Sequence, residues 1–472
     1  MKSYNNLYEP MLQRENVQKC FRDAAKGKTG RNDVQRTLKN LDRETDILCV
    51  MLEKEMFIPD SHRQTIINEN TCRKVRRILK PNYRYEQVVH HLVIGQFKKI
   101  VLNGLYEFSC GSIPGRGVHY GKKYMKKWIA SYQGRKMYVL KMDIHHFFES
   151  IDRKILKHRL REVIRDNRFY RLMCILVEHD RIADTVERMT ASGIEMSEDD
   201  ARLLVTQIAF NKEDDALKLL HSAGASGETF RYLNEIIRSD RKGVPLGYYT
   251  SQWFGNFYLK RLDHFIKQRL GADHYIRYMD DMVILGKNKR KLHGIRRIIE
   301  EYSHAELGLE LKNDWQVFRF EYIGKDGKVR GRMIDFMGFQ FHGDRITMRK
   351  SVIQRARRKA LRIAGKDRTS WYAATQMLSY MGWFAHTDTY DFYIRHIKQN
   401  INVKKLKRIV SKHQRKENEQ NERLEKGNRN TDGTSKRGRH GIITDDSLHA
   451  AQYRTDREEA GKRRRKSERV AV

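Results

Sequence analysis

The chain has 472 residues, enough for roughly two to four compact units with substantial cores. Its formal net charge of +36 and pI of about 9.9 call for a polyanionic partner, most simply nucleic acid. No long apolar run offers a membrane span, and Met1-Lys2-Ser3-Tyr4-Asn5-Asn6 opens a polar stretch unlike a secretory signal. Cys20, Cys49, Cys72, Cys110 and Cys174 are scattered without a CxxC pair, so neither a zinc site nor a disulfide framework is indicated, and a reducing cytoplasm fits.

Residues 1 to about 60 read as helical, with apolar spacing of three and four over 13–25 and 32–56 and a breaker at Gly27-Lys28-Thr29-Gly30. They suit a helical cap on a larger fold. In Arg73-Lys74-Val75-Arg76-Arg77-Ile78-Leu79-Lys80-Pro81, cations alternate with apolar residues, as on a basic strand. Such a strand holds phosphate oxygens on one face, or is simply solvated. Residues 88–102 read as a buried helix, where His90 and His91 suit packing better than ligation. The glycine-punctuated loop 111–121 matches neither GxxxxGK[ST] nor GxGxxG. It is expected to hug the backbone, to offer Arg116, and to open a helix carrying Lys122, Lys123, Lys126 and Lys127.

Residues 137–148 predict a strand ending at Asp143, with a helix starting at Arg153. An acid at a strand's end is well placed to reach a ligand, though it also suits a helix cap. About 175–235 reads as a helical insertion without assigned chemistry. Gly243-Val244-Pro245-Leu246-Gly247 then opens an aromatic-rich helix, expected over 253–270. That loop could floor a base pair, or be an ordinary helix start capped by Thr250 or Ser251.

The chemical centre is Tyr278-Met279-Asp280-Asp281, inside the apolar and β-branched stretch 275–285. The pattern predicts strand, tight turn, strand, with the acids at the tip. Two adjacent carboxylates repel each other, and a cation between them relieves the repulsion. Oxygen ligands in small number suit Mg²⁺, which also takes phosphate oxygens. With Asp143 there are three carboxylates, enough for two Mg²⁺ about 4 Å apart. The plain alternative is a solvated Asp-Asp turn. A basic helix is expected over 289–303, strands over 308–318 and 334–341, and a very basic helical region over 349–412. Beyond about Ser411 the polar, charged sequence, with Lys462-Arg463-Arg464-Arg465-Lys466 near its end, predicts disorder.

Taken in order, these segments resemble a reverse transcriptase. The resemblance is carried by Asp143-x-x-x-x-Phe148, Gly247-x-x-x-Ser251-Gln252, Tyr278-Met279-Asp280-Asp281, Leu311-Lys312 and Phe336-Met337-Gly338-Phe339. It covers roughly residues 60 to 345, with a thumb-like region to about 410. Ser251-Gln252, where many relatives have Ser-Pro, is similar to the enzymes of diversity-generating retroelements and their bacterial group-II-intron-like kin. So are Val88-Val89-His90-His91, Ile113-Pro114-Gly115-Arg116-Gly117 and Tyr4-Asn5-Asn6-Leu7-Tyr8. The insertion and the tail depart from the compact retroelement pattern.

The resemblance implies an α+β right-hand fold whose antiparallel palm sheet carries the acids. It divides the chain into a helical N-terminal region (1–60), fingers and palm (61–345), a helical thumb (346–410) and a basic tail (411–472). It assigns two Mg²⁺, replaceable by Mn²⁺, to Asp143, Asp280 and the Ile144 carbonyl, with Asp281 supporting. Lys74, Arg76 and Arg116 would hold the triphosphate, Phe148 would exclude a 2′-hydroxyl, and Gln252 would lie near the nascent pair. Lys312 would be a proton donor to pyrophosphate. Tyr278, Met279 and Gly338 would contact primer or template. The implied partners are an RNA template, a DNA or RNA primer and dNTPs, with an accessory protein or a structured non-coding RNA also possible. The implied setting is the cytoplasm of a bacterium or phage host, with no membrane. A basic protein partner is disfavoured by the charge. Two alternatives stay open: a phage-defence reverse transcriptase working with a non-coding RNA, and an RNA-binding protein with an inactive palm. A mobile intron's endonuclease half is disfavoured, because no Cys/His cluster follows the thumb.

Overall fold

The computed structural model describes residues 3–59, 62–69, 74–239 and 242–432, without the side chains of 62–63, 67–69, 74–77, 417–418 and 420–432. Helix and sheet are mixed. At the N-terminus, the helix Arg14–Ala25 buries Val17, Phe21, Ala24 and Ala25, one face at helical spacing. The helix expected over 32–56 is two, Asn32–Lys39 and Leu41–Glu53. They part at Asn40, whose backbone leaves the helical region and whose side chain caps the Arg36 carbonyl. Strands β1 (His62–Glu69) and β2 (Lys74–Pro81) form an antiparallel hairpin.

The centre is a five-stranded sheet of β3 (Ser109–Cys110), β4 (Tyr138–Asp143), β5 (His274–Tyr278), β6 (Asp281–Gly286) and β7 (Gln316–Arg319). The spatial order is β3-β5-β6-β4-β7, with only β3–β5 parallel. Both faces are buried, which explains the unbroken apolar run Met282-Val283-Ile284-Leu285. Val139, Ile276, Val283 and Leu285 pack with Met125 and Trp128 of the helix Val118–Ser131. Leu140, Met142, Tyr275, Met282 and Ile284 belong to a larger core with Phe97, Phe254, Tyr258 and Ile299. Each large side chain so buried contributes about 1.5–3 kcal/mol.

Two expected strands turn out differently. The helix Lys289–Leu307 runs past 303 and closes on Gly308, whose φ of +59° is a left-handed cap, so 308–318 is strand only at β7. Residues 334–341 are a hairpin, β10 (Ile334–Phe336) and β11 (Phe339–Phe341), following the short pair β8 (Tyr322–Ile323) and β9 (Val329–Arg330). Met337 and Gly338, with φ of +52° and +82°, make the two-residue turn. Strand β12 (Ile346–Met348) completes this small sheet.

Between β4 and β5, five helices from Asn167 to Arg238 form the insertion. Its root is a buried charge cluster: Arg153 and Lys157 lie 2.9 and 2.8 Å from Glu178, and Arg153 also reaches Asp180. After β12, the helices Lys350–Ala364 and Trp371–Ala385 pack through Ala356, Ala360, Met377 and Phe384. The helix Val403–Asp432 runs past 411, where disorder was expected, and the rest of that tail lies outside the described residues. Among the described residues no helix is long and apolar enough to cross a membrane.

Candidate active site

Strands β5 and β6 meet at a two-residue turn, Met279-Asp280, closed by the pair Tyr278↔Asp281. Met279 takes φ of +56°, unusual for a residue with a side chain, and its amide donates to the Cys110 carbonyl at 3.1 Å. Strand β4 lies on the other side of β6, in a register that pairs Asp143 with Asp281. The Asp143 carbonyl accepts from the Lys312 amide at 2.8 Å, away from β6. Asp143 and Asp281 are therefore a non-hydrogen-bonded pair, the kind whose facing side chains come closest. Three carboxylates thus gather at one end of the sheet, although Asp143 and Asp281 are far apart in sequence. Ile144 bridges Leu311, flanked by bonds from the Lys312 amide to Asp143 and from the His145 amide to Glu310. By the alternation of a strand, the Ile144 carbonyl turns the other way, toward the start of β6.

The acids are held against their own charge. Burial and the neighbouring Asp143 push the Asp280 carboxyl up to about 6. Burial, with the fields of Asp143 and Asp280, pushes Asp281 up to about 7 despite Lys141. Asp143 pairs with Lys312 through one oxygen, and Asp281 has Lys141 3.9 Å from one of its own. The remaining oxygens, Asp143 Oδ1 and Asp281 Oδ1, are buried and accept no hydrogen bond from the described residues. Two orphaned carboxylate oxygens beside a third carboxylate, with ammonium groups already drawn in, have the hard oxygen chemistry that divalent cations of the Mg²⁺ type take, although among the described residues no three acids stand as a ready-made metal centre. Burial alone would lower the Lys312 pKa, but its bond to Asp143 and the field of Asp280 leave it raised.

Beneath the turn lies an arrangement that the sequence reading missed. Arg277 is fully buried and pairs with the equally buried Asp263, Nη2 to Oδ2 at 2.6 Å and Nε to Oδ1 at 2.7 Å. Tyr275 and Ser109 donate to the same carboxylate. Arg277 Nη1 donates to the Met279 carbonyl at 2.8 Å, so the network grips the turn that presents the acids. The available signal was an arginine inside a buried apolar strand, which needs a carboxylate partner. Asp263, amid Leu259, Leu262 and Ile266, is that partner's counterpart signal.

The other residues singled out from sequence lie around this point to differing degrees. Phe148 sits just beyond Asp143, its carbonyl accepting from the Val244 amide at 2.8 Å. Gly243 donates to the Ile151 carbonyl at 2.7 Å, and Arg153 Nε donates to the Gly243 carbonyl at 2.7 Å. The Leu79 amide, on β2, donates to Leu246 at 2.8 Å. The segment 243–247 is thus a strap tying β2, Phe148 and the helix Tyr249–His264. Gln252 is exposed on that helix. Lys74 and Arg76 stand on β2, and their side chains lie outside the description. Arg116 donates to the Tyr106 carbonyl at 3.0 Å, so this guanidinium is engaged away from the acids. Lys141 Nζ donates to the Asp335 carbonyl at 2.7 Å, which ties the Gly338 hairpin to the Asp281 side of the site. Tyr278 is half-buried on the face that carries Val139 and Val283.

No protein-family model and no curated protein matches the sequence. Among solved structures, the chain is similar to telomerase from Candida albicans in complex with a TWJ fragment of telomeric RNA, at 10% identity and a TM-score of 0.36, covering 73% of this chain and 56% of that one. It is similar to apo telomerase from Candida tropicalis at 10% identity and a TM-score of 0.37, covering 69% and 52%. The Candida tropicalis telomerase complexed with a TWJ fragment gives 10% identity, a TM-score of 0.36, and coverage of 74% and 52%. The chain spans about half the length of these proteins. Likeness at this level assigns no residue a role.

Proposed function

We propose that this chain is a reverse transcriptase, extending a primer with dNTPs along an RNA template. The observation that carries the proposal is the pairing of Asp143 with Asp281 across β4–β6, with Asp280 on the adjoining turn. In this reading the five-stranded sheet is the palm, the β1–β2 hairpin belongs to the fingers, and the helices after β12 are the thumb.

The primer 3′-hydroxyl attacks the α-phosphorus of the dNTP, a phosphodiester forms, and pyrophosphate leaves. Mg²⁺, when bound, supplies the charge that acidifies the hydroxyl and neutralises the pyrophosphate. Asp143 and Asp280 would hold it, with the Ile144 carbonyl, and Asp281 would support them; Mn²⁺ would serve in its place. Lys312 and Lys141 act as counter-charges that keep this buried acid set folded without a cation. Once Asp143 is otherwise neutralised, the Lys312 ammonium is free to protonate the leaving pyrophosphate. Lys74 and Arg76 on β2 would take the triphosphate, and Arg116 would join them only by leaving the Tyr106 carbonyl. Phe148, fixed by the strap, would bar a 2′-hydroxyl, and Gln252 would face the nascent pair. Tyr278, Met279 and the Gly338 hairpin would seat the primer end.

Ser251-Gln252 and the Ile113–Gly117 segment support a role in a diversity-generating retroelement. The five-helix insertion favours a second reading, a phage-defence enzyme working with a non-coding RNA. Neighbouring genes separate the two, since a template repeat beside a variable target gene belongs only to the first.

Primer extension on RNA should vanish in Asp280→Ala/Asp281→Ala, and Phe148→Ala should admit rNTPs. Undiminished extension in the double variant would refute the assignment. RNA binding that is steeply salt-dependent and indifferent to the acids, without synthesis, would leave an RNA-binding protein with an inactive palm.

A further inference from the structure

We propose that the β8–β9 hairpin is a docking surface for a double-stranded RNA stem outside the catalytic cleft. The proposal rests on the reading above that this chain works on RNA. It adds a second, distant contact to that reading.

Ile323 and Val329 are cross-strand partners, 74% and 70% exposed. They are the two most exposed large apolar side chains among the described residues. Among the described residues, nothing packs over this aliphatic pair on its short, well-formed hairpin. The charges around the pair are one-sided. Between Arg319 and Arg332 there are five cations and two carboxylates. One of those carboxylates, Glu321, is taken by His342 and the Gly343 amide, and the other, Asp326, by Arg330. Lys325 and Lys328 are exposed, and although the Lys328 amide donates to Asp326, neither side-chain ammonium meets a carboxylate among the described residues.

The position excludes a role at the reacting atoms. Strand β7 runs antiparallel to β4 and pairs Arg319 with Tyr138, the end of β4 remote from Asp143. At about 3.3 Å per residue, the hairpin begins roughly 17 Å from the acids. An occupant there is not the base pair being copied.

The chemistry selects among occupants. A wide, shallow A-form minor groove presents ribose edges at its floor and phosphates along both walls. A two-stranded ribbon with an aliphatic pair in the middle and cations at its turn and edges complements that surface. A protein partner would have to be acidic and apolar together. The hairpin is too small and too polar to hold a membrane.

The test uses the full chain and a labelled blunt RNA stem of about 16 base pairs. Binding is followed against salt for the wild type, Lys325→Glu/Lys328→Glu and Ile323→Ser/Val329→Ser. Extension of oligo(dT) on unstructured poly(rA) is measured in parallel. The charge variant should lose about tenfold or more in stem affinity, with a log–log salt slope shallower by about two. The apolar variant should lose several-fold in affinity with the slope unchanged. Both should extend oligo(dT) at the wild-type rate, which shows that they are folded. Stem affinity and slope unchanged in both variants would overturn the proposal and leave a protein as the occupant. Absence of extension by the wild type would instead sink the polymerase reading, and the binding series would still decide the hairpin.

Discussion

Arg277 and Asp263 form a two-point ion pair with both side chains wholly out of water, and the same guanidinium holds the Met279 carbonyl. Removing one member leaves a buried charge without its counter-charge, which costs about 3–5 kcal/mol. Arg277→Met and Asp263→Asn should each lower the unfolding free energy by that amount, read as a lower urea midpoint at an unchanged m-value. Arg277→Lys should not restore it, because an ammonium cannot span both carboxylate oxygens and the Met279 carbonyl. Denaturant melts of the three variants check this, and a midpoint within error of the wild type in Asp263→Asn would contradict it.

The acids make stability depend on pH in an unusual direction. Asp280 and Asp281 titrate near 6 and 7 in the folded chain, well above an unfolded carboxyl near 3.9. The folded state therefore holds these protons more tightly. The stabilising contribution is complete below the unfolded value and is lost as pH rises through 6 to 7. A divalent cation competes with the same protons, so its stabilising effect should grow over that range. Thermal shift should show a larger gain from Mn²⁺ or Mg²⁺ at pH 8 than at pH 5.5, and Asp281→Asn should flatten the difference. An equal gain at both values would mean that the cation binds elsewhere.

The strap over 243–247 links the basic hairpin to Phe148. At Gly243, with φ of +88°, an added Cβ would lie 2.7 Å from the Glu149 carbonyl oxygen, against backbone that cannot yield cheaply. Gly243→Ala should cost more than about 1 kcal/mol, and should shift the strap away from Phe148. Steady-state extension should then show a raised KM for dNTP and weaker discrimination against rNTP. A variant with lower stability and unchanged nucleotide kinetics would restrict the strap to a structural role.

What the sequence disclosed was local. The hairpin at 275–285 is legible because β-branched and aromatic residues flank two acids, and the end of β4 at Asp143 because the mostly apolar run 137–142 gives way to an acid, with a helix start at Ser150-Ile151-Asp152 soon after. The pairing of Asp143 with Asp281 was not legible, since register is set by which faces find burial after the chain has folded. The Arg277–Asp263 pair was half legible: a lone arginine in a buried strand demands a carboxylate, but nothing local says which. Residues 334–341 read as one strand because two short alternating runs, Ile334/Phe336 and Phe339/Phe341, stand so close that they conceal the Met337-Gly338 turn. Residues 308–318 were misread because Leu309 and Leu311 look strand-like, while Gly308 first has to close a helix.

The sharpest test is single-turnover incorporation of one complementary dNTP onto a DNA primer annealed to RNA, in Mg²⁺, for the wild type and Asp143→Asn. The three-acid site predicts rapid, EDTA-sensitive addition of that one nucleotide by the wild type. It predicts none above background by a variant that melts at or above the wild-type temperature. Addition by Asp143→Asn at the wild-type rate, or none by the folded wild type, would contradict it.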